Sequence, residues 1–138
     1  MSVKPFFDTN ILIYAFREED PRCEVARILL ATGGVISVQV LNELVAVLRR
    51  KLNLSWEQVG EAIGAARVLC PTIVSLTTET HESALKIAVR YGYRIYDSLI
   101  IAAAQDAKCK TLYSEDMNDG QVIENLTICN PFTTNRDC

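Results

Sequence analysis

The stretch Val3-Lys4-Pro5-Phe6-Phe7-Asp8-Thr9-Asn10-Ile11-Leu12-Ile13-Tyr14-Ala15-Phe16 decides how the rest of the chain is read. Val3 to Phe7 is a short apolar run that ends abruptly at Asp8, the pattern of a buried strand. Apolar residues then recur at Ile11, Leu12, Ala15 and Phe16, the spacing of one helical face. A strand thus passes straight into a helix, and the acid stands at the junction.

The same alternation continues outward from this unit. Glu18-Glu19-Asp20-Pro21 breaks the chain, and Pro21 sits where a helix can begin. Cys23 to Ala31 follows as an amphipathic helix, stopped by Gly33-Gly34. Val35 to Val38 is a second predicted strand. Gln39 to Leu52 is helical, with Leu41, Leu44, Val45 and Leu48 in register. Ser55 and Gln58 form a capping box for the next helix, which runs to about Cys70 before Pro71. Thr72 to Leu76 is a third strand, Thr78 to Tyr91 a helix ended by Gly92, and Tyr96 to Ala107 a helix with an almost wholly apolar middle. Thr111 to Tyr113 is a fourth strand and Asn125 to Cys129 a fifth, expected at the sheet edge. Strands alternating with helices imply a parallel sheet covered on both faces. The expected architecture is an α/β chain with a mainly parallel sheet of about five strands.

The 138 residues fit one domain, expected to span 1–132 with a short tail at 133–138. Hydrophobic residues make up 49% and charged residues 22%, so a packed core is within reach and disorder is expected only after Pro131. The five cysteines are scattered without metal-knuckle or redox spacing, which favours reduced thiols in a cytosolic protein. The one histidine, His81, lies in a polar helix start with no serine or cysteine partner evident for nucleophilic chemistry. No segment has the order of a signal peptide, and the longest apolar run, Leu99 to Ala104, is too short to span a bilayer. A soluble, cytoplasmic protein with no membrane partner is expected. The net charge of −3 gives no global attraction for nucleic acid, unless the acids are gathered around a cation that reverses the local field.

Four acids fall where such gathering is possible. In a parallel sheet, ligands bind outside the carboxyl ends of the strands. Asp8 directly follows the first strand and Asp116 closely follows the fourth. Asp97 lies in the first turn of the apolar helix, and Glu43 near the start of its helix between Val40 and Val47. Each has an ordinary structural role open to it: Asp8 and Asp97 as helix N-terminal acids, Glu43 as a solvated rim residue, Asp116 as a turn former beside Glu115 and Asp119. Together they are harder to dismiss. An unpaired charge opening a buried helix costs several kcal/mol, and crowded carboxylates repel. A hard divalent cation, Mg²⁺ or Mn²⁺, resolves both, because such ions take oxygen ligands and often need only one or two carboxylates.

Phe7-Asp8-Thr9-Asn10-Ile11-Leu12, Leu41-Asn42-Glu43-Leu44, Tyr96-Asp97-Ser98-Leu99-Ile100 and Ser114-Glu115-Asp116-Met117, in that order, resemble the PIN-domain ribonucleases, with the nearest likeness to VapC-type toxins of toxin–antitoxin pairs. The likeness spans nearly the whole chain. It implies a three-layer α/β/α sandwich and a metal site made of Asp8, Glu43, Asp97 and Asp116, which then serve as catalytic residues. It implies support from Ser114 and from Asn10, with Asp119 a spare acid able to assist or replace Asp116. It further implies an RNA substrate, a homodimer and an inhibitory antitoxin partner. The mechanism expected is Lewis-acid activation of a phosphate and of a water by Mg²⁺, giving a 5′-phosphate and a 3′-hydroxyl. An acidic pocket of this kind suits an arginine presented by the inhibitor.

Candidates for the strand's basic track are Arg49-Arg50-Lys51, Arg90 with Arg94, and Lys108 with Lys110, each equally explicable as a solvated helix end. Tyr93 and Tyr96 are possible base-stacking residues, with packing the more ordinary use. A haloacid dehalogenase-type phosphatase needs a second Asp where Asn10 stands, and a receiver-type phosphoacceptor needs an Asp after the third strand, where Leu76-Thr77-Thr78 stands. The remaining alternatives are a PIN-domain interaction module without turnover, or a PIN nuclease outside toxin–antitoxin systems.

Overall fold

The computed structural model describes residues 4–133. The strands are β1 (Phe6–Phe7), β2 (Val35–Ser37), β3 (Thr72–Val74), β4 (Thr111–Tyr113), β5 (Val122–Ile123) and β6 (Leu126–Cys129). The helices are α1 (Thr9–Ala15), α2 (Arg22–Ala31), α3 (Val38–Arg50), α4 (Trp56–Leu69), α5 (Thr78–Tyr91) and α6 (Ile95–Asp106). The strands form one sheet in the order β3-β2-β1-β4-β6-β5, parallel throughout except for the β5–β6 pair. Helices cover both faces, giving the expected α/β/α sandwich.

Two features of the sheet depart from the sequence reading. There are six strands rather than about five, because Val122–Ile123 folds back antiparallel on β6. Glu124, at φ 55°, makes the tight turn between them. The last strand is therefore not an edge strand: β6 lies between β4 and β5, which is why Ile128 and Cys129 are buried. Of the first strand, Phe6 and Phe7 are strand; Val3 lies outside the described residues, as does the predicted tail beyond Thr133.

The centre of the sheet dictates its chemistry. β1 is flanked by β2 and β4 and covered on both faces, so Phe6 and Phe7 are both fully buried. A continuous apolar pair is what a strand buried on both faces requires. Gly34 is needed beside it, since a Cβ there would stand 2.2 Å from the Phe7 ring. The Ser55–Gln58 capping box opens α4 as expected, and Gly92, at φ 78°, closes α5. Helix α6 is buried from Ser98 to Ala104, and its small Ala102-Ala103-Ala104 run lets α5 and the sheet approach closely.

His81 is exposed on α5. Cys23, Cys70 and Cys109 are buried free thiols, as expected, and burial pushes Cys70 and Cys109 up to about 11. Cys129 departs from the expectation of reduced thiols, being disulfide-bonded. Among the described residues no helix is long and apolar enough to cross a membrane.

Candidate metal centre

Strand register builds the site. Phe7 pairs with Tyr113 in the parallel β1–β4 ladder, so the next residue on each strand, Asp8 and Ser114, emerge side by side at the carboxyl edge. The ladder extends one step further, the Asp8 N–H donating to the Tyr113 carbonyl at 3.0 Å. The Ser114 hydroxyl then donates to Asp8 Oδ2 at 2.7 Å. Asp8 is also the N-cap of α1, its Oδ1 accepting from the Thr9 N–H at 2.7 Å.

Asn10 ties the second acid to the first. Its Nδ2 donates to Asp116 Oδ2 at 3.2 Å and, more weakly, to Asp8 Oδ2 at 3.4 Å. Its Oδ1 accepts from the Glu115 N–H at 3.2 Å. The Asp116 N–H in turn donates to the Ser114 hydroxyl oxygen at 3.3 Å. Asp8, Asn10, Ser114 and Asp116 are therefore one hydrogen-bonded cluster.

Glu43 enters from α3, which starts immediately after β2 with Ser37 as its cap. Glu43 Oε1 accepts from the Thr9 hydroxyl at 3.2 Å, and Oε2 from Gln39 Nε2, one turn earlier, at 3.0 Å. Asp97, in the first turn of α6, faces Arg94 at 3.4 Å. The charges of Asp8, Glu43 and Asp97 act on one another. Asp8 is 3% exposed, and its carboxyl is pushed up to about 7, first by burial and then by the neighbouring charges of Glu43 and Asp97. Ser114 and the Thr9 N–H oppose that rise by bonding the charged form. Glu43 is also raised, by burial and by Asp97, with Arg94 opposing.

All four predicted acids thus converge on the same sheet edge, and Asn10 and Ser114 stand between Asp8 and Asp116. Asp119 is placed differently: its Oδ1 accepts from the Asn130 N–H at 2.9 Å, holding the 118–120 turn to the end of β6. Sequence reasoning missed Thr9 and Gln39, although Gln39 is four residues before Glu43 on the same helical face. It also missed a brace on the neighbouring acid. Arg22 donates from Nη1 to both Glu115 oxygens, at 2.9 and 3.1 Å, and from Nε and Nη2 to Asp20, and it lies 4.0 Å from the centre of the Tyr14 ring. Tyr14 donates its hydroxyl to Glu115 as well. No local pattern announces a contact 93 residues apart.

Tyr93 is the packing residue foreseen, donating to Gln121 and accepting from the Asn118 N–H. Tyr96 takes no part in the core of the chain: it is 61% exposed. Arg49 is occupied locally, donating to the Leu54 carbonyl and lying over the Trp56 ring.

The donor set fits a hard divalent cation in kind. It is all oxygen, and the buried Asp8 carboxyl is pushed up by burial first and then by the neighbouring acids Glu43 and Asp97, charges that a cation would offset. Among the described residues no three acid, histidine or cysteine groups close into a ready-made cage. Instead the carboxylates rest on internal donors: Ser114 and Asn10 on Asp8, Thr9 and Gln39 on Glu43, Arg94 on Asp97. An octahedral ion that keeps several waters needs only a part of this set.

The fold and this edge-on cluster of acids define the class. The PIN domain family matches residues 6–118, and the chain belongs to that family. The family membership implies nuclease chemistry. Three solved structures are similar in fold. A toxin–antitoxin complex from Klebsiella pneumoniae has TM-score 0.71 at 21% identity, over 95% of this chain and 98% of that one. VapBC2 from Rickettsia felis, bound to a DNA fragment from its promoter, has TM-score 0.66 at 21% identity, over 90% and 96%. VapC20 of Mycobacterium tuberculosis, a sarcin–ricin loop cleaving toxin, has TM-score 0.65 at 22% identity, over 81% and 89%. No curated protein matches the chain.

Proposed function

We propose that this protein is a divalent-metal-dependent endoribonuclease and the toxin of a toxin–antitoxin pair. The observation that carries the reading is Asp8, a buried carboxyl pushed up to about 7 and surrounded by acids from three other parts of the chain. Strongly perturbed carboxyls gathered at a ligand-binding edge are the mark of a functional site. Asp8 and Asp97 would hold Mg²⁺, or Mn²⁺ in its place, with Asp116 and Glu43 completing the shell. When bound, the ion supplies Lewis acidity toward a phosphate oxygen and lowers the pKa of water.

The remaining work belongs to the chain. Ser114 and the Thr9 N–H keep Asp8 aimed. Asn10 bridges Asp8 and Asp116 and holds them at a set separation. Asp116 orients the attacking water. Glu43, half-buried with its acidity weakened, is suited to accept a proton. Displacement in line gives a 5′-phosphate and a 3′-hydroxyl.

Similarity to VapC20, which cleaves the sarcin–ricin loop, supports RNA as substrate. Similarity to two toxin–antitoxin structures supports an antitoxin partner, and the toxin reading carries with it a cytoplasmic homodimer. The inhibitor would place an arginine against Asp8 or Asp97, and Arg94 beside Asp97 illustrates the pairing within the chain.

The test is RNA cleavage by the purified protein with Mg²⁺, with chelator, and with Asp8→Ala and Asp97→Asn. Cleavage in Mg²⁺ alone is expected, with both variants inactive and Asp97→Asn melting no lower than wild type. Full activity of Asp97→Asn, or RNA binding without turnover under every metal condition, overturns the nuclease reading.

A further inference from the structure

Helix α3 carries a polar stripe beyond Glu43. Gln39, Asn42, Glu43, Ala46 and Arg50 recur at helical spacing on one face. Together with Tyr96, from the first turn of α6, they line a cleft of about 410 Å³. This is within the size range of small-ligand sites. Glu43 is shared between the cleft and the acid cluster, so whatever fills the cleft is continuous with whatever reacts at the acids. Tyr96 is the residue immediately before Asp97.

The lining has three separate chemistries. Tyr96 presents an aromatic ring that is 61% exposed and so open to a stacking partner. Asn42 offers a side-chain amide, donor and acceptor together. Arg50, exposed at the end of α3, is seven residues beyond Glu43, about 10 Å along the helix axis. A ring to stack on, an amide to read an edge and a cation for a phosphate, lining one cleft, suit a nucleotide of single-stranded RNA. Ala46 between them leaves the room.

We propose that this cleft is a substrate subsite. The nucleotide next to the reacting phosphate stacks its base on Tyr96, meets Asn42 with its edge and sets its outer phosphate against Arg50. This inference rests on the nuclease reading, and it assigns to Arg50 and Tyr96 the roles of strand track and base platform. Arg49, held by Leu54 and Trp56, has no part in it.

The experiment measures binding of short fluorescent single-stranded oligoribonucleotides in chelator, where turnover is absent. Wild type is compared with Tyr96→Ala, Tyr96→Phe and Arg50→Gln. Tyr96→Ala is expected to weaken binding about tenfold or more, and Tyr96→Phe, which keeps the ring, to restore it. Arg50→Gln should lower the slope of log affinity against log salt by about 0.7, one single-strand phosphate contact. With Mg²⁺, Tyr96→Ala should raise KM more than it lowers kcat. Tyr96 is exposed, so an unchanged melting curve is expected and separates binding loss from misfolding. RNA binding that ignores Tyr96 and Arg50 overturns the subsite. So does a wild type that binds no single strand, including the case where the two substitutions weaken only a protein inhibitor. Tyr96-dependent binding by a protein that cleaves nothing supports the subsite while removing the nuclease reading.

Discussion

Ser114 and Asp8 are 106 residues apart in the chain and joined by a 2.7 Å hydrogen bond in the site. The hydroxyl stabilises a carboxylate that burial disfavours. Ser114→Ala should cost about 1–3 kcal/mol, the usual loss when a buried acceptor is left without its donor. Because the charged form of Asp8 loses support, the acid limb of the cleavage pH profile should move upward. Thermal unfolding and a pH–rate profile check this. A profile that stays in place would mean that Ser114 serves packing alone.

The raised pKa of Asp8 also predicts how the chelated protein responds to pH. Below about pH 4 both folded and unfolded chains hold the proton. Between there and about 7 the unfolded chain has lost it while the folded chain keeps it. Folding therefore binds protons, and stability falls as pH rises through this window, by up to about 1.4 kcal/mol per unit for this one group. Asp8→Asn has no charge to bury. It should melt above wild type at pH 8 in chelator, and the gap should close toward pH 4. Added Mg²⁺ should raise the wild-type melting temperature and leave Asp8→Asn nearly unmoved, since a ligand stabilises only the state that binds it.

The Arg22 brace makes a prediction of another kind. Arg22 binds both Glu115 oxygens, and Glu115 is the residue before Asp116. Arg22→Ala should lower kcat with little change in KM, because small displacements of a positioned group are costly: about a hundredfold for 1 Å. Arg22→Lys should not restore it, since one ammonium cannot replace a guanidinium that holds Asp20 through two nitrogens while a third reaches Glu115. Steady-state kinetics of the two variants decide the matter, and full rescue by lysine would reject the brace.

Ser98 follows Asp97 and is fully buried, with no hydrogen-bond partner for its hydroxyl among the described residues. Ser98→Ala should raise stability by about 1 kcal/mol, the desolvation cost of that hydroxyl, and leave cleavage intact. Denaturant unfolding measures the gain. A loss of stability would show that the hydroxyl is satisfied in solution.

Much of this molecule was legible in one dimension because the relevant physics is periodic. The apolar pair Phe6-Phe7, the spacing of Leu41, Leu44 and Leu48, and the Ser55–Gln58 box each act within a few residues, so their elements could be read directly. The Val122–Ile123 strand escaped because two residues carry no period. The place of β6 inside the sheet escaped because strand order is a property of pairing rather than of pattern.

The site divides the same way. Asp8, Glu43, Asp97 and Asp116 are visible as acids placed at the ends of predicted elements, and the parallel sheet supplies the reason for them to meet. Which donor holds which carboxylate was settled only in three dimensions. The β1–β4 register sets Ser114 beside Asp8, Thr9 reaches Glu43 on another helix, and Arg22 reaches Glu115 across the fold. Side-chain hydrogen bonds span about 3 Å and depend on tertiary register, which no spacing along the chain encodes. The sequence alone therefore determined the kinds of group at the edge of the sheet. Their partners, their burial and the exposure of Tyr96 were decided by the packing of segments that lie far apart in the chain.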